Sequence, residues 1–212
     1  MAAPEVATGE RLIGVRIGGA VTRSAPWRIT GQEPELGWLT GSRWRPAGQP
    51  VPGQLAGPQA VPHLAFVLGG PLPGPGVSAA GALAAVASVH AAVELAATAG
   101  ERAAIDGGPA PDDGWFVTSP AGRAPAGLDL ALEACLVEVD GQVVDSGTGA
   151  AAAGHPAEAL AWAANALDAQ GLALEPGWLV LTGPLTAPVP LSPGAPLAVH
   201  FTTLGSLFLP PG

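Results

Sequence analysis

Glycine and proline divide this chain into short apolar segments, and their spacing is the strongest constraint on its fold. The 212 residues include 31 glycines and 24 prolines, while 48% of the residues are hydrophobic. Clustered without apolar partners, these residues would indicate disorder, but here they punctuate apolar runs and are typical of turns. The pattern therefore predicts a single β-rich domain that can bury a sizeable core.

Apolar runs predict most of the strands. Residues 11–19 and 63–70 are strand candidates, and the second ends at two glycines. Further strands are predicted in WFVTSP, in LVLTG and in LALEACLVEVDGQVVDSGTG, where Asp140 and Gly141 fit the tight turn of a hairpin. Several strands with few helices predict a mixed, mainly β fold.

Two helices are predicted from their end signals. The clearer one is PAEALAWAANALDAQG, with Pro156 at its first position and Gly171 just past its end. Ser78 is expected to cap the other, over residues 79–91. The following AAVELAAT either continues that helix or begins a strand, and periodicity alone leaves both open.

Charge and composition exclude several classes of function. The formal charge is −9, and the eight cationic residues are all arginines spread along the chain, so no basic stripe is available for nucleic acid. The lack of lysine excludes a lysine Schiff base or lysine general base. No apolar window approaches the roughly 18 residues of a membrane span, and MAAPEVATGER does not resemble a signal peptide. We therefore expect a cytoplasmic protein with a small-molecule substrate and no membrane partner.

The single cysteine, Cys135, lies in the apolar context LEACLVEVDG. One cysteine cannot form a disulfide framework or a cysteine zinc site within the chain. We predict a buried strand residue and not a nucleophile.

The motifs of the C-terminal third resemble those of a known enzyme group. They are the DG hairpin, GHPAEALAWAANAL, LVLTGPLT, PVPLSPG and LGSL, and the likeness continues upstream in GVRIGG, GQEPELG, AFVLGGPLPGPGVSAA and VHAAVEL. Together they resemble the 2-keto-4-pentenoate hydratase and 4-oxalocrotonate decarboxylase group of the fumarylacetoacetate hydrolase superfamily. The resemblance implies an α+β, mainly β fold: a rolled, mostly antiparallel sheet with a few outer helices and the site at the mouth of the roll.

The same resemblance implies one hydratase-like domain over residues 1–212. The family's usual N-terminal helical region is absent from this sequence, and residues 1–8 are expected to form a flexible tail. The family often forms oligomers, so we expect a homo-oligomer, or a hetero-oligomer with a related subunit.

The resemblance also implies a metal site whose ligands have changed. In the family, two carboxylates two positions apart on one strand and a third after the next helix hold a divalent metal. The first two positions correspond to Val61 and His63 here, and only the third, Glu94, is a carboxylate. One carboxylate and one imidazole make a poor site for Mg²⁺ or Mn²⁺, so we expect no cofactor and a metal-independent site.

Other matched positions indicate a less polar pocket. The family lysine that orients the keto acid corresponds to Arg16, and the hydroxyl residues after it correspond to Gly19, Ala20 and Val21. The predicted catalytic residues are Glu94, His63 and Arg16. The predicted substrate-binding residues are Val61, Ala20, Val21, Thr182 and Leu185.

These residues allow two interpretations, one as proton-transfer groups and one as structural residues. Apolar surroundings should raise the pKa of a metal-free Glu94 carboxyl and make it a general acid or base. Arg16 either pairs with Glu94 or binds a substrate carboxylate or enolate. His63 would be a second proton-transfer group on the strand face it shares with Val61. Alternatively, Glu94 is a remnant paired with Arg16, and His63 is a hydrogen-bonded strand residue.

The remaining histidines, His90, His155 and His200, are predicted to be structural. Three loop tryptophans are predicted to pack against the side of the core, although they could instead line an apolar ligand pocket: Trp27, Trp38 and Trp44.

Three functions stay open at this point. The first is a hydratase- or decarboxylase-like lyase or isomerase that acts on an enolisable oxo acid. The second is a metal-independent cyclase or isomerase of natural-product biosynthesis that folds a larger substrate in an apolar roll. The third is a noncatalytic subunit that stabilises an active hydratase or decarboxylase.

Overall fold

The computed structural model describes residues 10–18, 35–51, 57–96 and 114–212, and most of its regular structure is strand. The strands are β1 (Leu12–Gly18), β2 (Glu35–Thr40), β3 (Trp44–Pro46), β4 (Gln59–Leu68), β5 (Val86–Ala96), β6 (Trp115–Thr118), β7 (Ala134–Val139), β8 (Gln142–Thr148), β9 (Leu179–Thr182), β10 (Val189–Pro190), β11 (Leu197–Phe201) and β12 (Gly205–Leu209). The helices are α1 (Ala79–Ala84) and α2 (Pro156–Asp168), with short 3₁₀ turns at Gly41–Arg43 and Gly149–Ala151. The predicted α+β, mainly β class is confirmed. Neither described helix is long and apolar enough to cross a bilayer.

The larger sheet is rolled, and its connectivity explains why. Its strand order is β2, β1, β9, β4, β5, β6, β3, with β10 paired to β4. The pairs are antiparallel except β1 with β9 and β3 with β6. The two end strands, β2 and β3, are joined by only three residues, Gly41–Arg43. Such a link spans no more than about 14 Å, so the sheet must curl until its edges meet at this seam.

The roll has two different faces. One face packs against α2 and the smaller sheet and forms the main core, with residues such as Leu64, Phe66 and Val180. The other face lines the inside of the roll with a smaller cluster, made of Leu39, Ala65, Ala92, Phe116 and Leu181. Because side chains alternate along a strand, each of the central strands contributes to both faces.

The smaller sheet is antiparallel, in the order β12, β11, β7, β8. Asp140 and Gly141 have φ values of 52° and 74°, as the predicted tight hairpin turn between β7 and β8 requires. Cys135 is buried on β7, in agreement with its prediction. The opposite face of this sheet leaves Val143 and Phe208 exposed.

Helix α2 is the predicted one. His155 precedes it, and its Nδ1 accepts a hydrogen bond from the Ala157 amide at 3.1 Å. Pro156 is the first helical residue, and Gly171 follows the end with a φ of 72°. The helix packs its alanine and leucine side chains into the main core.

The second predicted helix is much shorter than expected. Ser78 does cap it, since its Oγ accepts from the Gly81 amide at 3.2 Å. The helix nevertheless ends at Ala84, and Val86 begins a strand that runs to Ala96. The prediction over residues 79–91 is wrong because β5 pairs along its length with β4, and this ladder outweighs the local helix propensity of an alanine-rich segment.

Trp38 and Trp44, predicted as loop residues, lie on β2 and β3, and one of them is not in the core. Trp38 is partly buried against the main core and meets Trp178 edge to face, with ring centroids 6.3 Å apart. Trp44 is 42% exposed, so its assignment to the core is wrong. Its Nε1 donates to Thr118 Oγ1 at 3.1 Å, a hydrogen bond that keeps the ring at the surface. Trp27 lies outside the described residues.

Candidate active site

Val61, His63 and Glu94 share one face of the central strand pair. In the β4 and β5 ladder, Val61 lies opposite Glu94, and His63 lies opposite Ala92. Directly opposed residues point to the same side of a sheet, and residues two apart on one strand do so as well. Because Ala92 belongs to the inner cluster, all three side chains face the inside of the roll.

Arg16 reaches the same place from β1. It pairs with Leu181 of β9, and Leu181 in turn pairs with Ala65 of β4. Leu181 and Ala65 both belong to the inner cluster, so the Arg16 side chain also points into the roll. The parallel β1 and β9 pair therefore carries a guanidinium to a carboxylate that is 78 positions away in the sequence.

Both carboxylate oxygens of Glu94 have a nitrogen neighbour. Arg16 Nε lies 3.4 Å from Oε1, and His63 Nε2 lies 3.2 Å from Oε2. The side chains of Glu94 and His63 are 9% and 1% exposed. A buried carboxylate needs a counter-charge, and Arg16 supplies it. Of the two sequence-based alternatives for Arg16, the structure shows the pair with Glu94.

The imidazole of His63 lacks hydrogen-bond partners among the described residues. Its Nε2 is close to Glu94, but the alignment falls short of a hydrogen bond, and its Nδ1 has no partner there either. An unsatisfied buried polar group costs about 1–3 kcal/mol, and such groups call for an explanation. The described residues thus offer His63 no hydrogen-bond partner, and its alternative role as a hydrogen-bonded strand residue stays a prediction.

Gly183 makes room for the His63 ring. A Cβ at this position would lie 2.6 Å from Nδ1, which is closer than real contacts allow. The backbone of Gly183, just after β9, thus packs directly against the imidazole ring.

A small cleft opens beside Glu94 at the seam of the roll. Its free volume is about 10 Å³, room for about one water molecule. Its lining residues are Trp38, Leu39, Arg43, Glu94, Gly114, Trp115 and Phe116. Sequence reasoning missed Arg43 because nothing in GSRWR signals proximity to a residue 51 positions away.

The predicted substrate-binding residues divide into three groups. Val61 faces the site. Thr182 and Leu185 do not join it: Thr182 pairs with Leu64, on the main-core face, and its Oγ1 donates to the Leu64 carbonyl at 3.1 Å. The Leu185 side chain is buried in the main core. Ala20 and Val21 lie outside the described residues, and so does Gly19.

The other histidines have local partners. Nε2 of His90 is 2.9 Å from Ser88 Oγ, and its Nδ1 is 2.9 Å from the Ser119 carbonyl oxygen. Nδ1 of His200 is 2.8 Å from Ser206 Oγ. His155 accepts a hydrogen bond at the start of α2. These contacts agree with the structural roles predicted for His90, His155 and His200.

The described residues do not fit a Mg²⁺ or Mn²⁺ site. Such ions need several oxygen ligands, yet no group of three His, Cys, Asp or Glu residues that could hold a metal occurs in the described ranges. Glu94 is the only carboxylate of the three-residue cluster, and Arg16 already places a positive charge at one of its oxygens.

Comparison with known proteins gives the family. No family model matches the chain. The chain is 36% identical over 203 residues to 2-hydroxyhexa-2,4-dienoate hydratase of Comamonas testosteroni, an alignment that covers 89% of this chain and 74% of that enzyme. It is 32% identical over 207 residues to 4-oxalocrotonate decarboxylase of Pseudomonas sp. strain CF600, covering 95% and 78%. The chain belongs to the hydratase and decarboxylase group of the fumarylacetoacetate hydrolase superfamily.

Solved structures agree with this membership. The 4-oxalocrotonate decarboxylase from Pseudomonas putida G7, complexed with magnesium and adipate, superposes with a TM-score of 0.84 at 27% identity, over 97% of this chain and 80% of that one. Fumarylacetoacetate hydrolase from Exiguobacterium antarcticum has a TM-score of 0.76 at 17% identity, over 95% and 75%, which shows the shared fold. The predicted family and rolled sheet are confirmed, while the loss of the family's metal ligands stays a prediction.

Proposed function

We propose that this member of the superfamily is a hydratase- or decarboxylase-like lyase that converts an enolisable oxo acid without a divalent metal. Its hydratase and decarboxylase relatives support the lyase class. The observation that carries the metal-free part is the Glu94 carboxylate, held between Arg16 and His63 on the inner wall of the roll.

Both reaction types need a stabilised enolate. A 2-hydroxydienoate becomes an unsaturated oxo acid when its enol proton moves to carbon, and water then adds to the conjugated double bond. Loss of CO₂ from a vinylogous oxo acid leaves the same kind of delocalised enolate. Arg16 is a fixed cation at this place, and its planar fork can bind the enolate oxygen as negative charge develops there.

Glu94 and His63 are suited to move the proton. The Glu94 carboxylate accepts a proton from the enol oxygen or an acidic C–H and returns it to the other atom, so the residue ends the cycle unchanged. His63 Nε2 lies 3.2 Å from Glu94 Oε2 and can also accept or donate this proton. A bound substrate or water would also satisfy the imidazole nitrogens that have no partner among the described residues.

The cyclase alternative would call for a large apolar pocket with Glu94 at its base. The cleft that the described residues form at Glu94 has a free volume of only about 10 Å³.

The substitution Glu94→Gln tests the proposal. Turnover of 2-hydroxypenta-2,4-dienoate and of 4-oxalocrotonate is measured with a chelator present and after addition of Mg²⁺ or Mn²⁺. We expect the wild type to keep its rate in chelator and to gain nothing from metal. The E94Q variant should lose about 10²–10⁴-fold in kcat, because the amide cannot carry the proton. The matched control is E138Q, which alters an acidic residue of the smaller sheet next to His200 and should leave the rate unchanged.

Three results would contradict different parts of the proposal. A wild type that is inactive in chelator and restored by Mg²⁺ would refute the metal-free site. A wild-type rate in E94Q would remove Glu94 from the mechanism. A wild type that converts neither compound would refute the lyase assignment for these substrate types.

A further inference from the structure

A second polar pair, Ser88 and His90, lies on the inner face of the roll at the end away from Glu94. Residues 88, 90, 92 and 94 alternate along β5, so their side chains point to the same side of the sheet. Ala92 belongs to the inner cluster, which places the other three on the inner face as well. Ser88 is roughly 20 Å from Glu94 along the extended strand, so this pair is separate from the Glu94 cluster.

The contacts that hold the His90 ring in place also determine which of its nitrogens carries the proton. Nδ1 lies 2.9 Å from the Ser119 carbonyl oxygen, and a carbonyl can only accept. In the neutral imidazole, Nδ1 therefore carries the hydrogen and Nε2 has a free lone pair. Because Ser88 Oγ lies 2.9 Å from Nε2, the hydroxyl is the donor of this hydrogen bond. A serine that donates to an imidazole oriented by a third group has the geometry of an activated nucleophile.

Gly122 lies beside the same nitrogen. A Cβ at this position would overlap His90 Nε2, so only a glycine lets the backbone pass so close to the ring. The Gly122 amide has no hydrogen-bond acceptor among the described residues. It is therefore available to an oxyanion that forms next to Ser88. Gly122 is exposed and the Ser88 and His90 pair is partly buried, so this end of the roll is open to solvent.

We propose that Ser88 and His90 form a second catalytic site, which transfers the acyl group of small carboxylic esters. Ser88 Oγ attacks the ester carbonyl carbon while its proton moves to His90 Nε2, and the carbonyl oxygen becomes an oxyanion beside the Gly122 amide. When the oxyanion collapses, the C–O bond to the alcohol breaks and the alcohol oxygen takes the proton from Nε2. The acyl group then remains on Ser88. Water repeats the same steps, releases the acid and restores both residues, so the net reaction is ester hydrolysis.

Another serine and histidine pair in the chain provides a matched control. Nδ1 of His200 is 2.8 Å from Ser206 Oγ, on the hairpin of β11 and β12. The His200 side chain is 43% exposed, so water competes for this hydrogen bond. Proximity of a serine to a histidine is the same in both pairs, and only the first has the Gly122 amide beside it.

The test uses p-nitrophenyl acetate in excess over the protein, with p-nitrophenolate release followed by absorbance. We expect a burst of about one equivalent followed by slower turnover, and peptide mass spectrometry after an acid quench should find the acetyl group on Ser88. The chain has no lysine, which removes most of the amines that this reagent could acetylate. Ser88→Ala should abolish the burst, and His90→Gln should slow it about 10²–10⁴-fold, because an amide cannot take the proton. The control Ser206→Ala should keep the burst.

The proposal is overturned by any of these results: no burst in the wild type, an acetyl group on Ser206 in place of Ser88, or a full burst in S88A or H90Q. Unfolding curves followed by circular dichroism show whether the variants are folded. If S88A is not, S88C decides, because a thiol of similar size remains a nucleophile and should still be acetylated at position 88. The assay uses an ester and no oxo acid, so its outcome is independent of the E94Q experiment.

Discussion

Charge balance around Glu94 determines what this site can do. Three carboxylates at one point repel one another and need a divalent cation, whereas one carboxylate is balanced by one guanidinium. If the predicted replacement of two acids at Val61 and His63 holds, Glu94 is the one acid left, and Arg16 Nε lies 3.4 Å from its Oε1. The residues of this one cluster thus neutralise one another, and this is the physical basis of the metal-free proposal.

The lone cysteine allows a prediction at the same scale. Burial raises the pKa of the Cys135 thiol to about 11. At pH 8 only about one thiol in 1,000 is then the reactive thiolate. We expect native protein to resist a thiol-specific disulfide reagent at pH 8 and to react with one equivalent after denaturation, followed by absorbance. Rapid reaction of the native protein would show that β7 opens readily or that the thiol is exposed.

At the scale of elements, one glycine brings β1 against β9. The β1 and β2 ladder shifts its register between Leu12 and Gly14, and Gly14 has a φ of 158°. A Cβ at this position would overlap the carbonyl oxygen of Leu179 on β9. Only glycine permits this close approach of β1 to β9. The approach in turn sets the position of Arg16, two residues later on β1.

Gly14→Ala tests the importance of this contact. The added methyl group should push β1 and β9 apart and lower the free energy of unfolding by about 1–3 kcal/mol, measured by denaturant titration. Gly70→Ala is the control, because a Cβ there meets no atom within 4 Å. We expect it to stay within about 0.5 kcal/mol of the wild type. Equal stability of the two variants would mean that β1 can shift without cost.

At the scale of the whole molecule, stability is expected to be unevenly distributed. Strand β4 pairs with β5, β9 and β10, and its residues are almost all buried. Strand β8 is an edge of the smaller sheet and is mostly exposed, with Val143 and Val144 61% and 47% exposed. Edge strands open more easily because only one side is hydrogen-bonded.

Hydrogen exchange followed by mass spectrometry checks this distribution. We expect peptides from β4 and β5 to exchange most slowly and peptides from β8 to exchange orders of magnitude faster in the isolated chain. Protection of β8 equal to that of β4 would contradict the exposed edge seen here and would point to a covering subunit. The oligomer expected from the family stays a prediction until such a measurement is made.

The sequence by itself determined the features that depend on a few neighbouring residues or on matched motifs. The hairpin turn at Asp140 and Gly141 and the start of α2 at Pro156 follow from local backbone preferences, which act wherever the segment lies. Motifs matched along most of the chain gave the family and the rolled sheet. They also singled out Arg16, His63 and Glu94, which the structure brings together; their catalytic roles stay predictions.

Only the tertiary structure decided features that depend on distant partners. Residues 86–91 form a strand because β4 lies beside them, and the predicted contact residue Thr182 turns to the core because of its register with β4. Arg43 reaches the cleft of Glu94 because the sheet closes on itself at a three-residue turn. No local pattern encodes such closure, since it arises from the summed pairing and burial of strands far apart in the chain.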